Sequence, residues 1–163
     1  MASATKRPSE AQRAGQRPRC RATALNTCFD TSALIKTVLE EVGSQLADEL
    51  WSRSSSRIAS RLVYPEGRAA LAAAKRAGRI DERSHRTAAN DLESACAAMR
   101  LIGVDWALAR QAGETAERYA LRGYDAVHLA TALSSQDSDL VLVTWDRDLA
   151  LAAANAGMPV TPS

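Results

Sequence analysis

Four acidic residues stand where the pattern of this chain turns from extended to helical. They are Asp30 in Cys28-Phe29-Asp30-Thr31-Ser32-Ala33-Leu34, Glu66 in Tyr64-Pro65-Glu66, Asp125 in Tyr124-Asp125-Ala126-Val127-His128-Leu129, and Asp146 in Val143-Thr144-Trp145-Asp146-Arg147-Asp148. One acid at such a point is ordinary helix capping, worth roughly 0.3–1 kcal/mol through the helix dipole and the free N–H groups. Four of them, far apart in sequence, converge if the strands that precede them are neighbours, and capping requires no common location. Converged carboxylates repel unless a cation holds them. At least one of the four is therefore expected to have a raised pKa in the metal-free chain, through mutual repulsion.

The cation that suits such a site is Mg²⁺ or Mn²⁺. Hard divalent ions take oxygen ligands, and Mg²⁺ keeps several waters beside one or two direct carboxylates. No His or Cys set of zinc spacing accompanies the four acids. A hard cation in an acidic pocket suits phosphodiester hydrolysis, where it activates water and neutralises charge on the transferring phosphoryl group. The hydroxyls of Ser32 and Thr144 can either support metal-bound water or make strand-end and helix-start hydrogen bonds. His128, one turn after Asp125, reads as a packing or hydrogen-bonding residue. Arg57, Arg61, Arg68, Arg118, Arg122 and Arg147 fall near the same edge and can meet phosphates, although each taken alone reads as a surface charge.

The elements that must position these groups follow from periodicity. A strand is expected over Ala24 to Asp30, with Asn26 an awkward guest if both faces are buried. A helix runs from Ser32 to about Leu50, interrupted at Gly43; Ser52 to Ser56 reads as a loop and Arg57 to Val63 as a strand. Pro65 opens a helix that Gly78 ends. Asp81 starts the longest helix, with a stripe of Ala88, Leu92, Ala95, Met99 and Ile102 at spacings of 3 to 4. Asp105 caps the next, whose buried face is expected to be Trp106, Ala109, Ala112, Ala116 and Ala120. A helix over Tyr124 to Ser134 precedes the apolar run Leu140-Val141-Leu142-Val143, the signature of a parallel strand covered on both faces. A helix over Asp146 to Asn155 and an edge strand over Met158 to Thr161 complete the chain. The expected order is β-α-α-β-α-α-α-α-β-α-β. Alternation of this kind gives a three-layer α/β/α sandwich with a mainly parallel central sheet, whose ligands bind beyond the carboxyl ends of the strands.

Composition bounds the rest. A chain of 163 residues with 46% apolar and 25% charged content can bury one substantial core. Residues 1–23, a basic and aperiodic extension, are expected to be disordered, with one domain over residues 24–163. Lys6, Arg7, Arg13, Arg17, Arg19 and Arg21 against Glu10 leave the first 24 residues at +5, so a chain of net +2 carries −3 on its remainder. Any argument for nucleic-acid affinity from overall charge is thus an argument about the extension. Cys20, Cys28 and Cys96 form no CxxC pair, and Cys28 and Cys96 fall in apolar element interiors, as small core residues in a reducing compartment. No long apolar run occurs, so no membrane association and a cytoplasmic location are expected.

Taken together, Asp30-Thr31-Ser32-Ala33-Leu34, Arg61-Leu62-Val63-Tyr64-Pro65-Glu66, Gly123-Tyr124-Asp125-Ala126-Val127-His128-Leu129-Ala130 and Val143-Thr144-Trp145-Asp146 resemble the PIN-domain ribonucleases. More closely, they resemble the VapC toxins of bacterial type II toxin–antitoxin pairs, over about residues 24 to 163. The resemblance implies a PIN-like sandwich and RNA cleavage dependent on Mg²⁺ or Mn²⁺. It also implies a homodimer and inhibition by a cognate antitoxin protein. The family's acids map onto Asp30, Glu66, Asp125 and Asp146, with Asp30, Asp125 and Asp146 as metal ligands; Asp148, Ser32 and Thr144 are supporting candidates. The basic extension and the polar first strand depart from the family's usual pattern.

Two other classes compete. A phosphohydrolase of the haloacid-dehalogenase kind also places an Asp after its first strand, but needs a second Asp two residues later, where this chain has Ser32. A phosphoacceptor receiver domain needs paired acids at the first strand and a Lys after the last, and neither is evident. A nuclease fold that only binds RNA or protein is the non-enzymatic alternative, against which stands the presence of all four acids.

Overall fold

A computed structural model of the protein describes residues 25–162. The basic extension expected over residues 1–23, with Cys20 in it, lies outside them. Among the described residues the elements are β1 (Leu25–Phe29), α1 (Thr31–Ile35), α2 (Ser44–Arg53), β2 (Ser54–Ser60), α3 (Val63–Arg76), α4 (Glu82–Ala97), β3 (Arg100–Ile102), α5 (Trp106–Tyr119), α6 (Gly123–Ser134), β4 (Leu140–Val143), α7 (Arg147–Asn155) and β5 (Val160–Thr161).

The strands form one sheet in the order β3-β2-β1-β4-β5, every neighbour parallel. Side chains alternate across it with the strand period of two. Cys28, Ile58, Leu140 and Leu142 face Leu129 and Ala132 of α6 and Leu149, Ala152 and Ala153 of α7. Their sequence neighbours Phe29, Ala59 and Val143 face the opposite layer, built from Leu34 and Ile35 of α1, Leu50 of α2, Val63 and Leu71 of α3 and Leu92 of α4. Both faces are covered, which is why the central strands are apolar on consecutive positions. The three-layer sandwich expected from the alternation is the observed fold. No helix among the described residues is long and apolar enough to cross a membrane.

Several local expectations are corrected. β2 begins at Ser54 instead of Arg57 and ends at Ser60, so Ser54 to Ser56 are strand and Val63 already belongs to α3. Hydroxyl bonding accounts for the shift: Thr27 Oγ1 donates to Ser54 Oγ at 2.9 Å, and Ser54 Oγ donates to the Leu50 carbonyl at 2.6 Å. Polar side chains are tolerated in a parallel ladder when they satisfy one another. Asn26 is accommodated the same way, donating to Asp137 Oδ2 at 2.9 Å. The stripe assigned to one long helix divides: α4 stops at Ala97, and Arg100–Ile102 becomes the edge strand β3, paired with Ile58 to Ser60. On α5 the buried residues are Leu108, Ala112 and Thr115, and Trp106, expected inside, is 78% exposed. Cys28 and Cys96 are buried as expected, and burial with the nearby Asp30 charge pushes the Cys28 thiol up to about 12.

Strand order reverses between β1 and β4, since the chain adds β2 and β3 on one side and β4 and β5 on the other. The crevice outside the carboxyl ends of two such strands is where an open α/β sheet binds ligands. Asp30 follows β1 directly, and Thr144-Trp145-Asp146 follows β4.

Candidate active site

Asp30 is the buried anchor of this edge. Its N–H donates to the Val143 carbonyl at 3.2 Å, continuing the β1–β4 ladder by one residue before the chain turns into α1. Its carboxylate caps α1 through Ala33 N–H at 2.8 Å and also accepts from Ser32 Oγ at 2.9 Å and Thr144 Oγ1 at 2.8 Å. At 4% exposure it is far more enclosed than a solvent-facing cap. Burial pushes its pKa above the usual carboxylate range, against the opposing pull of these hydrogen bonds and of His128. One raised carboxyl was expected; the leading cause is desolvation and not repulsion among the acids.

Ser32 and Thr144 tie the two loops together. Ser32 Oγ accepts from Trp145 N–H at 2.8 Å, and Thr144 Oγ1 accepts from Asp146 N–H at 3.0 Å. Of the two roles open to these hydroxyls, the structure displays the hydrogen-bonding one: each donates to Asp30 and accepts from the loop after β4. That loop is braced from outside by the Trp145 ring, which lies on Gly43. At Gly43 (φ +98°) an added Cβ would come within 2.7 Å of Trp145 Nε1.

Asp146 caps α7 through Leu149 N–H at 2.9 Å with one oxygen and accepts from Arg122 with the other, at 3.0 Å. The same guanidinium donates through Nε to Asp125 Oδ2 at 2.7 Å. Asp125 lies in the first turn of α6, and Arg122 is the residue capping that helix without a side-chain cap of its own. Of the six arginines singled out in the sequence, Arg122 is the one seen bridging the acids. Arg57 packs on Trp51 and Arg68 on Tyr64.

Glu66, in the first turn of α3, reaches a different pair. Its Oε2 accepts from Thr31 Oγ1, through a short hydrogen bond, and lies 2.7 Å from Nε2 of His128, which is 3% exposed. Burial alone would raise the Glu66 pKa, but the hydrogen bonds from His128 and Thr31 and the charges of His128 and Arg122 outweigh it, and the group sits below the usual range. His128 Nδ1 is buried with no hydrogen-bond partner among the described residues. With a proton on Nε2 the ring donates to Glu66 Oε2. His128 is therefore both packed and hydrogen-bonded. Thr31 had no signal of its own beyond standing next to Asp30.

Capping is real at two of the four acids but does not explain their grouping. Asp81 and Asp105 cap α4 and α5 with the same bond to the third helical N–H and take no part in this network. Asp125 and Glu66 cap nothing. Asp148 is exposed in the first turn of α7 and makes no side-chain hydrogen bond to the group. Among the described residues no three Asp, Glu, His or Cys side chains stand close enough to hold a metal in this arrangement. Instead, a guanidinium already occupies the place of a cation between Asp125 and Asp146. The donor set is carboxylate and hydroxyl oxygen throughout, with the one nearby imidazole committed to Glu66. That chemistry fits a hard divalent ion.

Residues 27–155 match the PIN domain. The chain belongs to the PIN-domain family. Within the family it is similar to Ribonuclease VapC45 and Ribonuclease VapC49 of two strains of Mycobacterium tuberculosis, each 44% identical over 135 residues, covering 83% of this chain and 94% of the relative. Among solved structures, PAE2754 from Pyrobaculum aerophilum superposes with a TM-score of 0.61 at 26% identity, covering 79% of this chain and 86% of the other. Mycobacterium tuberculosis VapC20, described as a sarcin–ricin loop cleaving toxin, gives 0.62 at 18% identity, covering 82% and 96%. A toxin–antitoxin complex from Klebsiella pneumoniae gives 0.58 at 22%, covering 84% and 97%. At 18% and 22% identity the last two speak to the fold alone. The PIN-like sandwich read from the four motifs is thus the family's fold.

Proposed function

We propose that the protein is a divalent-metal-dependent endoribonuclease that hydrolyses RNA phosphodiester bonds, as the toxin of a toxin–antitoxin pair. The observation that carries the reading is the network that joins Asp30, Asp146 and Asp125 through Thr144 and Arg122 at the carboxyl edge of the sheet, with Glu66 held by Thr31 and His128 in a separate network. Kinship with two VapC ribonucleases supports it. Asp30, Asp125 and Asp146 would hold Mg²⁺, or Mn²⁺ in its place. The ion would supply a water of lowered pKa and charge neutralisation at the phosphoryl group. The chain's own residues do the rest. Thr144 and Ser32 hold the Asp30 carboxylate in one orientation. His128 and Thr31 keep Glu66 ionised and aimed at the same edge, where it can orient water or take its proton. Enclosure of Asp30 strengthens its interaction with any cation.

Kinship with the two VapC ribonucleases supports a cognate antitoxin partner, a homodimer and a cytoplasmic location. An antitoxin can inhibit by laying a segment across the acidic edge and offering a basic side chain to it. The test is cleavage of RNA by the purified protein. Activity should require Mg²⁺ or Mn²⁺, disappear with EDTA, and fall steeply in Asp30→Asn and Asp125→Asn, both folded. Expression without an antitoxin should arrest bacterial growth for the wild type and not for these variants. Cleavage by either variant at the wild-type rate under matched Mg²⁺ would overturn the assignment. Tight RNA binding without cleavage would favour a binding module.

A further inference from the structure

The pair of carboxylates at the open side of this site is already bridged, and by the chain itself. Arg122 donates through Nε to Asp125 at 2.7 Å and through a terminal nitrogen to Asp146 at 3.0 Å, so one planar fork spans two helices, α6 and α7. The acids are the enclosed members of this trio, with side chains 15% and 26% exposed, while the Arg122 side chain is 74% exposed. A fixed structural strut would be packed. This guanidinium spans the two carboxylates from the start of α6, with its outer surface in water.

We propose that Arg122 is the resident counter-cation of the acidic edge: it holds Asp125 and Asp146 until a divalent cation displaces it, and the displaced guanidinium then takes a phosphate of the RNA. The proposal rests on the metal-dependent reading above. Its first half is electrostatic exclusion. Two carboxylates whose oxygens accept from a guanidinium cannot offer the same oxygens to a metal ion. A charge of +2 outcompetes +1 for them, and an exposed pair gives way at little cost. The second half is geometry. Once freed, the side chain remains tethered at the rim, and a planar five-donor guanidinium matches the oxygens of a phosphodiester, which a neighbouring cation has made easier to approach. The same device explains how a site built from mutually repelling acids stays ordered without metal, with Asp30 shielded by hydroxyls and the outer two acids by Arg122.

The test uses the full chain, with Arg122→Gln and Arg122→Lys beside the wild type. Mn²⁺ alone is titrated calorimetrically, and thermal midpoints are read with EDTA and with saturating Mn²⁺. In Arg122→Gln the Mn²⁺ dissociation constant should tighten by about fivefold, the order expected for removing an exposed charge-assisted competitor. The EDTA midpoint should fall and the metal-induced rise should grow. Arg122→Lys, with one point charge in place of a fork, should lie between. With Mn²⁺ saturating, binding of a fluorescently labelled RNA oligonucleotide, read by stopped-flow anisotropy before cleavage proceeds, should weaken in Arg122→Gln and recover partly in Arg122→Lys. Mn²⁺ affinity unchanged or weakened in Arg122→Gln would overturn the proposal, as would RNA binding indifferent to the substitution. Absence of Mn²⁺ binding by the wild type and both variants alike would instead overturn the metal-dependent reading beneath it.

Discussion

At the scale of single residues, the site separates into an inner acid, an outer pair and a held one. Asp30 is the inner acid. Its folded pKa lies above the unfolded value near 3.8, so its contribution to stability is fully present below that value and is lost as pH rises through the folded one. Asp30→Asn removes that loss while keeping the acceptor oxygen for Ala33 N–H. In EDTA, at neutral pH, the variant should therefore melt higher than the wild type, and the difference should vanish below about pH 3.8. A variant melting lower at neutral pH would mean that the ionised carboxylate is a net stabiliser of the fold. Glu66 is the held acid, and its sign is opposite: it stabilises above its unfolded value of 4.5, and the contribution is lost as pH falls through its lowered folded value.

His128 carries that second effect. Truncation to Ala removes the Nε2–H donor from Glu66 and leaves a cavity beneath α6, which together should cost about 2–4 kcal/mol in urea unfolding. The acid limb of the stability profile should also move up in pH, toward the ordinary Glu range, because the leading lowering influence on Glu66 has gone. His128→Gln, which restores an N–H of similar reach, should recover part of both. Equal profiles for Ala and Gln would show that only volume matters at this position.

At the scale of elements, the loop that carries Asp146 is braced by a contact from another segment, the turn before α2. Gly43 sits at φ +98° with the Trp145 ring where a side chain would begin. Gly43→Ala meets two costs at once, a left-handed backbone that L side chains rarely adopt and an overlap with a ring that must shift. We expect a loss of about 1–3 kcal/mol. We also expect changed fluorescence from Trp145 and weakened Mn²⁺ binding, because the ring lies between Thr144 and Asp146. Stability lost with Mn²⁺ affinity intact would mean that the loop after β4 keeps its place without this brace. Much of the element plan is legible in the sequence. Leu140 to Val143 reads as a buried strand, and the Asp caps at 81 and 105 locate helix starts, because these signals lie within a few residues of what they specify. β3 does not, since three residues following an apolar helical stripe carry no strand period of their own. Trp106 was misplaced for a related reason: Ala-rich α5 offers several stripes of comparable hydrophobicity, and its neighbours decide which one is buried.

At the scale of the whole molecule, charge is divided between the two parts of the chain. With the first 24 residues at +5 and the remainder at −3, the domain cannot draw RNA by net charge and depends on local cations such as Arg122. Deleting residues 2–22 should leave the thermal midpoint nearly unchanged, since the three layers assemble from residue 25 onward, and should preserve cleavage at low salt. The salt dependence of RNA binding should become shallower, because fewer counterions are released when fewer phosphates are neutralised. Loss of folding on deletion would make the extension part of the structure.

The sequence by itself determined the sandwich and the parallel sheet, and singled out the four acids as candidates. Each rests on short-range information: a two-residue strand period, a helical stripe, a carboxylate at a helix start. Only the tertiary structure decided how those acids are used. It buried Asp30 between two hydroxyls, one of them 114 residues away, gave Glu66 to His128 across 62, and set the exposed Arg122 across Asp125 and Asp146. Pairings of this kind depend on which helices the sheet brings to one edge. That juxtaposition is a property of strand order, and no local pattern carries it.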